Sequence, residues 1–273
     1  MIAIRNWNKV VMDYREASLN QGNHWQGEHA RWYDGWVKLN NYAEEIYPVF
    51  QPFVHGRVLE IGAGTGLFSQ YLVNDADYLD VLEPSADMLA YLQKNVGNQY
   101  KLTYYKTNIE QFDFSGKKYY FVFAAHAFFN VLYIDRVLND ILNHSQKLGV
   151  LIGGGKPLDV LQVFRNEGLV ETERAHPPHH LDLQAVLNEC GFHYDICRKE
   201  SITKHVYESE KELLEKTAKQ CAIRADAMGA YQEIVKPLIN YSENGVYLQG
   251  NREHICLVIG KEEVSFINHN SAK

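Results

Sequence analysis

The residues best placed to do chemistry lie in Glu60-Ile61-Gly62-Ala63-Gly64-Thr65-Gly66, one carboxylate followed by three glycines at alternate positions. A short apolar run, Arg57 to Ile61, leads into them, and a helix-like stretch from Leu67 to Val73 leads away. Glycines at such a junction let the backbone turn tightly and let a ligand approach with no Cβ in the way. A carboxylate just before them suits a ligand with a cationic end better than a pyrophosphate. A second acid, Glu83, directly follows the strand-like Tyr78–Leu82, where it can accept two hydrogen bonds from a ribose diol.

Other positions have chemical potential but less pattern. His126 follows the strongly apolar run Tyr119–Ala125 and could serve as a general base or simply shape a pocket. His176, His179 and His180 flank two prolines; without nearby Cys or matched carboxylates they read as a polar loop capped near Asp182, not as metal ligands. Trp25, His29, Trp32 and Trp36 recur at intervals of four, three and four, the spacing of one helical face.

The elements needed to position these residues alternate along the chain. Strands are expected at Arg57–Ile61, Tyr78–Leu82, Lys101–Lys106, Tyr119–Ala125, Gly149–Gly153, Phe192–Cys197 and His254–Ile259. Helices are expected after the glycine loop, over Ala86–Asn95, Ile134–Ser145, Leu183–Glu189 and Lys211–Gln220, and on to about Tyr241. Such alternation predicts an α/β fold with a mostly parallel sheet covered on both faces, which puts a ligand at the strand C-termini. The predicted divisions are a helical lid over 1–50, a ligand-binding domain over 51–200 and 251–265, and a helical insertion or cap over 201–250.

The stretches VLEIGAGTG (58–66) and VLEPSADML (81–89) resemble two consecutive motifs of the class I S-adenosylmethionine-dependent methyltransferases. The resemblance implies a Rossmann-like sheet of seven strands, the last antiparallel, with helices on both faces. It also implies S-adenosylmethionine as cofactor, S-adenosylhomocysteine as product, and methyl transfer to an acceptor. Glu60, Gly62, Gly64 and Gly66 would cradle the methionine end, and Glu83 would hold the ribose. Asn108 and Ile109 would take the adenine, with Asn108 standing where the family commonly has an acid. Tyr33, Ala63, Pro84, Met88 and Ala125 complete the expected cofactor shell, Tyr33 through cation–π attraction to the sulfonium. His126 is the catalytic candidate, and no metal is expected. Trp25 and His29 are candidates to face the acceptor.

The nicotinamide-dinucleotide fingerprint G-x-G-x-x-G fits less well, because Leu67 occupies the position of its third glycine. Two further readings stay open: a transferase moving another alkyl group of the same cofactor, and a non-catalytic cofactor-binding regulatory module.

Bulk properties bound the acceptor and the compartment. With 27 Lys+Arg against 34 Asp+Glu the net charge is −7, and no basic stripe offsets it, so a small-molecule acceptor is expected and not nucleic acid. The four cysteines show no C-x-x-C spacing and read as reduced thiols. No apolar run is long enough to span a bilayer and the N-terminus lacks a secretory pattern, so a cytoplasmic protein without membrane contact is expected.

Overall fold

The computed structural model describes residues 1–19, 25–153, 159–171, 177–243 and 245–266. Its strands are β1 (Arg57–Ile61), β2 (Tyr78–Leu82), β3 (Leu102–Tyr105), β4 (Tyr119–Ala125), β5 (Ser145–Gly153), β6 (His193–Tyr207), β7 (Asn240–Ser242) and β8 (Gly245–Gly260). They form one sheet of order β3-β2-β1-β4-β5-β8-β6, with the short β7 paired to β8 off that path. The pairs β3–β2, β2–β1, β1–β4 and β4–β5 are parallel, and β5–β8 is antiparallel. The fold is the Rossmann-like one expected, with β7 as an eighth strand the sequence reading did not contain. The chain steps from β1 outward to β3 and then crosses to β4, so the order reverses between β1 and β4. Open α/β sheets bind ligands in the crevice outside such a reversal.

Strict alternation along the strands explains why the sheet is covered twice. Leu59, Ile61, Val122, Ala124, Leu148, Val150, Ile255 and Leu257 enter one apolar cluster, whereas Val58, Leu79, Phe121, Phe123, Leu151, Cys256 and Val258 enter another. Successive side chains point to opposite faces, so these are the two sides of one sheet. The helices on the first side are α1 (Ile2–Leu19), α6 (Ile134–His144) and α8 (His180–Cys190). Those on the second are α2 (Glu28–Asn40), α3 (Ala43–Phe50), α4 (Ser69–Asp75) and α5 (Ala86–Val96).

The first 50 residues therefore do not act as one lid. Trp7 and Val11 of α1 are fully buried beneath α6 and α8, and the Trp7 indole donates to the Val131 carbonyl at 2.8 Å. The next two helices lie across the opposite face. The aromatic spacing that signals α2 is also not an inward stripe: Trp25, His29 and Trp32 are exposed and Trp36 is half-buried. What α2 buries is Ala30, Asp34 and Val37.

Two compact units result: residues 1–154, 175–199 and 254–273 form the first, and residues 155–174 and 200–253 the second. The second has its own core, built on Phe164, Leu213, Tyr231 and Val235. It contains α7 (Asp159–Asn166), α9 (Glu210–Gln220), α10 (Met228–Val235), β7 and the distal parts of β6 and β8. Residues 155–174 belong to it as well as the 201–250 stretch, because Val170 bridges to Ile223 and the Phe164 ring packs tilted against Tyr231, ring centroids 5.3 Å apart. It also contains strands, β7 and the distal parts of β6 and β8, beside the helices expected of the insertion.

Candidate cofactor site

The site is assembled from the parallel strands' C-terminal ends. Register places Ile61 beside Leu82 and Ala124, and Leu82 beside Tyr105. The residues after these ends, Gly62, Glu83, Asn108 and His126, thus stand along one edge of the sheet.

The glycine loop is held by its own backbone. The Ala63 N–H donates to the Leu82 carbonyl at 3.0 Å and the Gly66 N–H to the Ala63 carbonyl at 3.0 Å. Gly62, Gly64 and Gly66 all have positive φ, at 65°, 59° and 93°, a region that L-residues with a Cβ enter at a cost. A Cβ on Gly62 would lie 2.7 Å from that of Ala127, and one on Gly66 would lie 3.0 Å from Val96 Cγ2. At Gly64 the nearest atom would be Tyr33 Cε1, at 3.5 Å. Gly62 and Gly66 are required by the protein's own packing, and Gly64 faces open space bounded by Tyr33. That arrangement is a cradle, and it fits a ligand laid against bare backbone.

The two acids divide the work. By strand alternation Glu60 points to the α4 side, where its carboxylate accepts from the Ser69 hydroxyl at 2.5 Å and is only 2% exposed. Burial raises it to about 8, opposed by the Ser69 bond and reinforced by the charge of Glu83. Glu83 is 6% exposed; it accepts the Gly64 N–H and the Ser85 N–H, each at 2.8 Å. Burial raises it to about 7, against the pull of those two backbone donors. Glu60 ties β1 to α4, and Glu83 ties the end of β2 to the loop.

The remaining expected residues are placed as follows. Asn108 is half-buried and caps a short 3-10 turn, its Oδ1 accepting the Gln111 N–H at 3.0 Å, while Ile109 beside it is buried. Pro84 is exposed, and Met88 is buried at 2% with its N–H donating to the Ser85 hydroxyl as a helix cap. Ala63 and Ala125 are half-buried at the loop and at the end of β4. Tyr33 packs edge-on against Trp25 and stacks on Trp36, with ring centroids 5.4 and 6.3 Å away. His126 has φ 51°, rare for a residue with a side chain, and its N–H donates to the Leu151 carbonyl at 2.8 Å. His176 lies outside the described residues; the His179 N–H donates to Asp182 at 2.7 Å at the start of α8.

Several neighbours carry no local sequence signal. Tyr42 and His254 pack around His126, with ring centroids 6.2 and 6.0 Å away, and stack on each other at 5.2 Å. His254 belongs to the last strand, opposite Gly153 of β5, so only sheet pairing brings it here. Asp34 and Asn95 are a second such pair. Asp34 and Lys38 look like an ordinary exposed helix pair in the sequence, yet Asp34 is 7% exposed.

Comparison with known proteins bears on this geometry. The family described as "Methyltransferase domain" matches residues 58–149, which hold the loop, Glu83, Asn108 and His126. Over those residues the chain is similar to the methyltransferase domain family. The family's cofactor is S-adenosylmethionine. The ribosomal RNA small subunit methyltransferase A of Coxiella burnetii is 35% identical over 75 residues, 28% of this chain and 29% of that protein. Malonyl-[acyl-carrier protein] O-methyltransferase 2 of Ilyobacter polytropus is 32% identical over 153 residues, 54% of this chain and 51% of that protein. The chain thus spans under a third of the first curated relatives it matches, and about half of the latter. Among solved structures, the plantazolicin methyltransferase BpumL, in complex with S-adenosylhomocysteine, superposes with a TM-score of 0.56 at 10% identity, covering 95% of this chain and all of that one. The YcgJ protein of Bacillus subtilis superposes at 0.51 with 13% identity, covering 80% of this chain and 99% of that one. These two likenesses establish the methyltransferase fold.

Proposed function

We propose that this protein is an enzyme that transfers the methyl group of S-adenosylmethionine to a small-molecule acceptor. The observation carrying the reading is the contact between Glu83 and the Gly64 N–H inside the 58–149 match. It joins the acid expected to hold a ribose to the loop expected to hold the methionine end. On this reading Gly62, Ala63, Gly64 and Gly66 offer bare backbone to the amino-acid end. Glu60 sets the loop from beneath, and Glu83 accepts from the ribose hydroxyls. Asn108 and Ile109 bound the adenine with Pro84 and Met88 near the turn, and Tyr33 covers Gly64. Ala125 ends the strand that carries the acceptor side.

The cofactor brings an already activated sulfonium methyl, so the protein's task is alignment in a site that excludes water. Such positioning is worth roughly 7–11 kcal/mol when the geometry is good. An acceptor whose nucleophile carries a proton must also lose it, and His126, half-buried beyond β4, is the residue offered for that step. The backbone bond to Leu151 and the packing of Tyr42 and His254 hold its ring in place.

The small-molecule acceptor is supported by the excess of acidic over basic residues, 34 against 27, and by the name of the Ilyobacter relative. The name of the Coxiella relative favours an RNA acceptor instead. Methyl-labelled S-adenosylmethionine incubated with the protein and a cell extract, then fractionated, separates the two. Label in the metabolite fraction supports the reading, and label in RNA overturns its acceptor. Among the described residues no helix is long and apolar enough to cross a membrane.

A further inference from the structure

Asn95 stands in the last turn of α5 and uses one amide nitrogen twice. Its Nδ2 lies 2.7 Å from Asp34 Oδ1 on α2 and 2.8 Å from the Thr65 carbonyl in the glycine loop. A primary amide nitrogen carries two hydrogens, so both bonds are made together, one hydrogen to each acceptor. The other oxygen of Asp34 accepts from Lys38 Nζ at 2.7 Å, which leaves this buried carboxylate well satisfied.

The same two helices are fastened again further up. The Gly27 N–H, just before α2, donates to Asp87 at 2.7 Å, and the Ser85 hydroxyl donates to the Trp25 carbonyl at 2.5 Å. Helix α2 therefore runs beside α5 in the same sense, pinned at its start and at its middle. The lower pin alone also reaches the loop. Tyr33, adjacent to Asp34, is the residue whose ring bounds the space over Gly64.

We propose that Asn95 is a positioning residue for the cofactor. It holds the Thr65 backbone and, through Asp34, the Tyr33 ring in their binding geometry, without itself touching the ligand. A loop and a covering ring ordered before binding need not be ordered by the ligand, so affinity rises with no added contact. The proposal rests on the reading that the glycine loop binds S-adenosylmethionine.

The test is calorimetric titration of the full chain and its variants with S-adenosylhomocysteine, with hydrogen exchange followed over residues 28–40. Wild type should bind, with exchange over 28–40 already slow without ligand and little changed on binding. Asn95→Ala should lose about tenfold or more in affinity, the scale of a lost hydrogen bond to a charged group, and exchange over 28–40 should be faster in the unliganded variant. Asp34→Asn keeps an oxygen for the Asn95 amide and should stay within about threefold of wild type, whereas Asp34→Leu should match Asn95→Ala. The measurement is made on whichever of Asn95→Ala and Asp34→Leu keeps a cooperative melt. If both unfold without ligand, the pair is a fold determinant and the proposal fails. Wild-type affinity in a folded Asn95→Ala or Asp34→Leu overturns it. So does equal loss in Asp34→Asn and Asp34→Leu, because charge and not acceptor geometry would then be what matters. Failure of wild type to bind S-adenosylhomocysteine would instead sink the cofactor reading.

Discussion

Glu83 accepts the Gly64 N–H at 2.8 Å, so the acid that ends the second strand holds the loop that ends the first. Its second oxygen takes the Ser85 N–H, which starts α5. One carboxylate thereby sets strand, loop and helix together, and its removal should be felt in both stability and binding.

Glu83→Ala should weaken S-adenosylhomocysteine binding by at least about tenfold, since it removes both the proposed ribose acceptor and a bond of ~1.5–3 kcal/mol to the loop. Glu83→Gln keeps the volume but presents an NH₂ toward one of two backbone donors. Calorimetry on Glu83→Gln should therefore show a loss nearly as large, and its melting temperature should fall.

The pH dependence follows from the same burial. The Glu60 and Glu83 carboxyls are raised from the ordinary 4.5 to about 8 and about 7. A carboxyl raised in the folded state favours folding most below its unfolded value. Its contribution is lost as pH climbs through the folded value. Stability of the ligand-free protein should therefore fall from about pH 4.5 toward about 8 on account of these groups, measured as a denaturation midpoint. Ligand binding should run the other way. On the proposed reading a ribose donates to the ionised form of Glu83, so affinity should rise through about pH 7 with proton release, and this rise should vanish in Glu83→Gln.

The three glycines should separate by readout. Gly62→Ala must move Ala127, 2.7 Å from the new Cβ, and should lower the melting temperature clearly. Gly64→Ala meets only Tyr33 at 3.5 Å, so its folding penalty is the left-handed backbone alone, about 1–2 kcal/mol. Its larger effect should be on titration with S-adenosylhomocysteine, because the new methyl stands in the cradle.

His126→Asn retains a residue tolerant of positive φ. It should bind S-adenosylhomocysteine within about threefold of wild type while slowing methyl transfer to a protonated acceptor by about a hundredfold or more. Unchanged turnover with the acceptor found by label fractionation would remove His126 from the chemistry and leave it as pocket wall.

Trp7→Ala tests the placement of α1. As a fully buried ring whose indole bonds Val131, it should cost about 3–5 kcal/mol in chemical denaturation. A lid residue would change binding with little change in stability.

The sequence by itself determined what depends on contiguous residues. The run Val58–Gly66 must be a strand turning into a loop, because only glycine occupies three left-handed positions so close together without strain. Glu83 must end a strand beside it, because two parallel strands joined by a short helix bring their C-termini together. The continuous apolar runs of β4, β5 and the last strand likewise dictate a sheet covered on both faces. What the tertiary structure alone decided are the pairings between distant segments. Asp34 reads as a surface acid until α5 lies against it. His254 is one more residue of a closing strand until antiparallel pairing carries it to His126. The first helices read as one lid because periodicity reports which face is apolar and not which side of the sheet will bury it. Glu60 and Glu83 follow the same division. Their spacing marks them as a pair, but only burial decides that one fastens the loop from beneath and the other from its edge.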